Sequence, residues 1–531
     1  MSTISTSLNT AVSPGISQVQ NANNQAAPAS SAPSALPANA NSYSVASTSS
    51  YQVNLRSSSN VAIGQTYNQA GITSSASATA APSQWWENKS DDHFSYLLQQ
   101  NAIATTTNSG RFNGLATGLI DRLHSTGADV KQAYITTSLD AGADGKAVAE
   151  AGQVSLNDLR DRPDQSLGLS VKLASGRSVT LSIKSNANGL SVEASSDAEL
   201  SETDGKALDK LAAGLEAAAQ SYFTDNKINL GALSGFDTSV VSSLEFNIKA
   251  GDRQLDYKIN ASHHQLKLTS DSGVIDIDVK HDNAGLRGNA TQRNNAIQQF
   301  LGQVDSAAKR GNADESLVSQ YKEAFSAMQK INTSDDDDSV RGLVPAKAPA
   351  FWDTSAGSLL TGLADFDAQI KGVSTSPNPA RLQESDYFNF QTSQKTTQEG
   401  HLTSGKISQN LESSLSAAFH LELKSGKKPV LDESKSSQNY RYVKVDDHES
   451  SKLDIGFEKN QVNSARLEKS HDRNLTISRY ELGKLVDTKN QPDKQTSVID
   501  LSVNSSRDNT ASEQALRRQN IIAALSGKIF L

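Results

Sequence analysis

The chain carries 531 residues, a formal charge of −8 and no cysteine, with hydrophobic residues at 36% and aromatics at 5%. Its length allows two or three folded domains with modest cores and large polar surfaces, and the missing cysteine excludes disulfides, thiolate catalysis and cysteine-ligated metals. The acidic balance argues against nucleic acid or an anionic membrane as partner, since both are met by clusters of Lys and Arg, and only Arg517-Arg518 comes near one. No membrane insertion is expected either: the strongest apolar run, Ile521 to Leu525, falls far short of the roughly 18 residues of a span.

The first 86 residues hold no Asp, Glu, Lys or His, and their only charge is Arg56. A stretch so poor in apolar side chains does not offset the roughly 1 to 2 kcal/mol per residue that backbone ordering costs, so residues 1–84 are expected to be a disordered Ser/Ala/Asn-rich leader. It has neither the basic start nor the apolar core of a Sec signal. Its opening, Met1-Ser2-Thr3-Ile4-Ser5-Thr6-Ser7-Leu8-Asn9-Thr10, sets an aliphatic residue at position 4 and no acid among the first dozen, and 13 of the first 50 residues are Ser. In this the leader resembles the export signals of substrates of bacterial type III secretion systems, the flagellar type included. The resemblance implies an uncleaved signal, passage as an unfolded chain, and a secretion chaperone or export gate as protein partner. The alternative is a plain linker tethering an intracellular protein.

Order is expected from Trp85-Trp86, where aromatics and charges first appear together, opening an α+β domain over 85–332. Phe112, Leu115, Leu119, Ile120 and Leu123 predict a helix over Gly110–Ser125, with His124 in its last turn. From Leu167 the period drops to two, and a meander of three strands runs through Leu169–Leu173, Val179–Ile183 and Leu190–Val192. Ser201 to Asp204 offers a capping box for a helix that carries Leu208, Leu211, Leu215 and Tyr222. A second meander follows from Leu244 to Val279. Next comes a helical hairpin, with Ile297, Phe300, Leu301 and Val304 in one arm and Leu317, Tyr321, Phe325 and Met328 in the other. Residues 333–384 read as a linker with a short helix formed by Leu359, Leu360, Leu363, Phe366 and Ile370. A polar, β-rich domain over 385–531 has strands at Tyr440–Val445, Leu453–Phe457, Leu475–Tyr480 and Val498–Val503 and closes with a helix over Ala511–Leu525.

Few motifs carry chemistry. Gly400 to Ile407 has the Gly and Gly-Lys spacing of a phosphate loop but lacks the Ser or Thr after Lys406 and the apolar strand before Gly400, so an exposed turn is expected. Asp335–Asp338 and Asp140–Gly145 lack the alternating ligands of a calcium loop. Asp276, Asp278, Lys280 and Asp282 alternate with Ile275, Ile277 and Val279 and read as the wet face of a sheet. His263 and His264 are adjacent at a predicted turn and do not share one metal easily, while Asp91-Asp92-His93 and Asp446-Asp447-His448 only repeat a tripeptide. No catalytic, cofactor or metal residues are assigned. Trp85 and Trp86 are the candidate partner-binding residues beside the leader, their other reading being a domain-edge anchor packed on the first helix. The expected function is that of a non-enzymatic exported protein acting by protein interaction at the cell surface or outside. Its rivals are a cytoplasmic scaffold with a flexible tether and an enzyme whose catalytic residues are dispersed along the chain.

Overall fold

The computed structural model describes residues 82–502, apart from 91, 105–109, 141, 226, 231–238, 281–285, 289, 331–358, 402–403 and 459–460, together with Leu516. The leader up to residue 81, the Asp335–Asp338 run and all of the expected Ala511–Leu525 helix except Leu516 lie outside the described residues.

Period-two alternation dominates, and among the described residues it builds one antiparallel sheet of 15 strands with six helices packed on it. Strand β1 (Pro82–Glu87) forms one edge against β2 (Val130–Asp140). The first expected meander is present as β3 (Gln165–Leu173), β4 (Ser178–Asn186) and β5 (Gly189–Ser196), inserted so that β5 pairs with β2 and β3 with β6. The second meander is β6 (Val241–Ala250), β7 (Arg253–Ile259), β8 (His263–Ser270) and β9 (Gly273–Lys280). In each strand the apolar half of the alternation is buried, as with Ile275, Ile277 and Val279 beside the more exposed Asp276 and Asp278.

Helices α1 (His93–Ala104), α2 (Leu115–Thr126), α4 (Glu202–Asp225), α5 (Ala290–Gly311) and α6 (Glu315–Lys330) contribute to one continuous apolar cluster with the sheet. Helix α3 (Gly145–Asp161) sets Leu156 and Leu159 on a separate cluster around Ala133 and Ile135, on the other face of β2. The expected helix over Gly110–Ser125 is split, with a 3-10 turn at Gly110–Phe112 and α2 starting at Leu115 behind left-handed Gly114. The capping box is reciprocal: Asp204 N–H donates to Ser201 Oγ at 3.2 Å and Ser201 N–H to Asp204 Oδ2 at 3.1 Å.

Two expectations are corrected. The helix placed over Leu359–Ile370 is instead a non-helical approach followed by strand β10 (Asp365–Gly372), because Phe366, Ala368 and Ile370 alternate inward while Asp367 and Gln369 face out. Pairing with β9 on one side and β11 on the other outweighs the helix-like spacing of the leucines before it. The short C-terminal strands are pieces of much longer ones, namely β11 (Tyr387–His401), β12 (Ser404–Glu422), β13 (Tyr440–Glu458), β14 (Gln461–Glu481) and β15 (Lys484–Ser502). Through β10 the ladder passes without interruption from the 85–332 segment into the 385–531 segment.

Candidate functional site

The two tryptophans lie side by side on β1 and so point to opposite faces. Trp85 packs over α3, where a Cβ on Gly152 would come within 2.4 Å of its ring. Trp86 meets Tyr134 edge-on at 5.1 Å between centroids, and the Lys89 ammonium stands 5.9 Å from its ring. Both rings are half-buried in contacts made within the chain itself.

The other singled-out residues take ordinary structural places. Gly400 pairs with Gly405 and His401 with Ser404 at the β11–β12 hairpin, and Lys406 lies on β12 at 3.2 Å from Asp454. Asp92 accepts the Ser95 N–H at the start of α1 and pairs with Arg122 at 2.8 Å. His263 and His264 open β8 just past the turn and point apart: His263 Nδ1 is 3.0 Å from Asp278 Oδ1, while His264 is fully buried.

Two places gather polar side chains with more purpose. The first is a buried cluster on the face of β12–β14 away from α5. His420, 1% exposed, sits between two carboxylates, with Nδ1 at 2.6 Å from Asp386 and Nε2 at 3.1 Å from Glu384. Tyr440 donates to Glu384 at 2.6 Å and accepts from Asn378 Nδ2, whose amide pairs reciprocally with Gln438. Arg381 stacks 4.5 Å over Tyr480, which in turn stacks on Tyr440.

Burial drives the His420 imidazole down, but its hydrogen bonds to Asp386 and Glu384 outweigh it and hold its pKa above the ordinary histidine value. Burial likewise pushes Glu384 up, and the hydrogen bonds from His420, Tyr440 and Tyr480 bring it below the usual carboxylate range. Each ring nitrogen faces a carboxylate oxygen, so the protonated ring can donate from both. Glu384, Asp386 and Asn378 all come from the connection between β10 and β11, so the cluster fastens that connection to the sheet.

The second place is a cleft of about 480 Å³ beside α5, floored by Phe390 and Leu415 and crossed by ion pairs. Arg310, near the end of α5, makes a two-pronged contact with the buried Asp447 of β13, which holds the guanidinium pKa above its ordinary value against the opposing effect of burial. Arg473 of β14 bonds to Glu449, and beyond it His471 Nε2 stands 3.3 Å from Asp493 of β15. A smaller cavity of about 160 Å³ shares Glu449 and Arg473 and continues the trough toward Gln495 and Ser497. A third cleft, about 420 Å³ on the opposite face, is lined by Asp276, Asp278, Asp367, Glu412 and His448. The charged side chains of the cleft are paired with one another, and the trough lies open along the sheet.

Neither place was visible from spacing. His420 follows Phe419 in what reads as the polar half of an alternating strand, and its partners are 34 and 36 residues away. Asp447 belongs to the repeated tripeptide, but its partner Arg310 is 137 residues distant. The only local hint is the Glu384-Ser385-Asp386 pattern just before a strand.

No family model, curated protein or solved structure matches the chain.

Proposed function

We propose that this chain is a non-enzymatic bacterial protein exported through a type III or flagellar-type apparatus, which acts outside the cell or at its surface by binding other proteins. The observation that carries the reading is the composition of residues 1–86, Ser-rich and free of acids, leading straight into the edge strand β1. The open, ion-paired trough beside α5 supports the second half, since it offers an extended surface to a protein partner. Among the described residues no helix is long and apolar enough to cross a membrane, and no group of three or more His, Asp or Glu side chains is placed to hold a metal ion.

The test is a fusion of residues 1–85 to a reporter in a secretion-competent cell. The reporter leaves the cell uncleaved, and only when the apparatus is present. Acids placed at Thr3, Ile4 and Ser5 reduce that export without changing the fold of the remaining chain. Retention of the reporter, or its equal release without the apparatus, would sink the proposal and favour the tethered scaffold.

A further inference from the structure

Strand β1 is one margin of the sheet, and among the described residues no strand lies on its outer side. Which of its backbone groups face outward follows from β2. Thr136 N–H donates to the Asn188 carbonyl at 2.8 Å, on the β5 side, so Gln84 and Thr136 form a pair that exchanges no hydrogen bonds. Alternation then turns the N–H and C=O of Gln84 and of Trp86 away from β2, while Trp85 and Glu87 hold the ladder. The strand is unguarded on that side. It carries a proline only at its first position, Pro82, and no lysine, whereas the opposite margin, β15, has Pro492 and three lysines.

The same margin gathers apolar side chains. Trp85 and Trp86, both half-buried, stand on its two faces. On the Trp86 face α1 lies over β2 and β5, with Phe94 and Leu97 turned to Gly118 and Gly114 at α2. Helix α2 packs farther in, on β5 and β4, so the side of α1 turned away from it looks toward β1. Tyr96 and Ile103 occupy that side and are 59% and 55% exposed.

A second copy of β1 satisfies this edge. When two β1 strands lie antiparallel with Trp85 opposite Trp85, Gln84 and Trp86 of each exchange hydrogen bonds with Trp86 and Gln84 of the other. The two Trp85 residues then form a pair without backbone bonds between them, where cross-strand side chains come closest. Glu87, the one charge of the strand, faces Ser83 and meets no like charge. Strand β2 and its copy stand three strand spacings apart, about 14 Å. Helices α1 and α3, which lie over β2, therefore clear their copies and leave room for Tyr96 and Ile103 on one face and for the Trp85 rings on the other.

We propose that two copies of this chain pair antiparallel through the outer edge of β1, with Trp85 opposite Trp85 on a two-fold axis and Tyr96 and Ile103 of α1 flanking the joint.

The test uses the full chain. Sedimentation equilibrium should give a dimer at micromolar concentration. Gln84→Pro deletes an N–H that points outward and spares the bonds to β2, so it should weaken the dimer about tenfold or more while circular dichroism stays unchanged. Gln84→Ala keeps that N–H and should leave the dimer intact. The lack of cysteine makes the register readable as well. Trp85→Cys sets the two thiols directly opposite, whereas Lys89→Cys sets them far beyond the roughly 7 Å between Cα atoms that a disulfide spans. Under mild oxidation, at a concentration where the wild type is dimeric, the first should form an interchain disulfide about tenfold faster than the second. A chain that is monomeric at tens of micromolar, a dimer untouched by Gln84→Pro in a folded protein, or equal disulfide rates would overturn the proposal and leave the edge to another occupant. If Gln84→Pro unfolds the chain, sedimentation of the wild type and the two cysteine variants decide alone.

Discussion

Replacing His420 with Ala should destabilise the protein strongly, and by an amount that depends on pH. In the folded chain both imidazole nitrogens meet carboxylates, and the side chains of Glu384 and Asp386 are only 7% and 14% exposed. Removing the cation leaves a carboxylate pair in a desolvated site, and breaking one side of such a buried arrangement costs about 3–5 kcal/mol.

The pH dependence follows from the direction of each shift. The His420 pKa is raised in the folded state, so its contribution is full below about 6.5, the unfolded value, and fades as pH rises through the higher folded value. The Glu384 pKa is depressed, so its contribution is present above about 4.3 and fades as pH falls through the lower folded value. The cluster therefore stabilises most between about pH 4.3 and 6.5, and the wild type should lose part of that stability on the alkaline side.

Urea unfolding followed by circular dichroism at about pH 6 and pH 9 measures this. His420→Ala should lie well below wild type at the lower pH, with a smaller gap at the higher. A gap of equal size at both, or one under about 1 kcal/mol, would refute the assignment of His420 as a doubly bonded imidazolium.

Two further perturbations probe the rest of the fold. Gly152→Val drives a side chain into the Trp85 ring, and the overpacking should cost about 1–3 kcal/mol; a thermal melt within 1 °C of wild type would show that α3 moves aside freely. Strand β15 is the far edge of the sheet and carries Pro492 at its middle with Lys484, Lys489 and Lys494 along its length, a composition that discourages pairing with another chain. Pro492→Val should therefore raise the fraction of larger species in sedimentation as concentration increases, and an unchanged profile would assign that protection to the lysines alone.

What could be read from the sequence depended on how locally each feature is encoded. The two meanders were legible because Leu169-x-Val171-x-Leu173 and Ile275-x-Ile277-x-Val279 announce both strand and buried face within five residues. The helical hairpin was legible for the same reason. Strand β10 was misread because Leu359, Leu360 and Leu363 fall at helical spacing just ahead of it, although they belong to a non-helical stretch packed in part against β12 and β13. The long strands were cut short because Asp446 to Ser451 places polar residues on both faces. There Arg310 reaches across from α5 to pair with Asp447, and Arg473 of β14 pairs with Glu449. The clusters around His420 and Arg310 join residues far apart in the chain, and no window of sequence contains both halves of either.

The strand order also determines how the molecule comes apart when drawn out by its N-terminus. Among the described strands β1 has a neighbour on one side alone, so it can be peeled away without breaking any other ladder of these strands, and β2 then becomes the exposed margin. Next in line is β3, which is held between β4 and β6, so its removal must tear two seams at once. From β6 onward each strand lies beside its successor in the chain, and the remaining sheet can unravel row by row like knitting. The resistance to such pulling is concentrated in the β4–β3–β6 interlock, at the start of extraction and close to the end that is pulled.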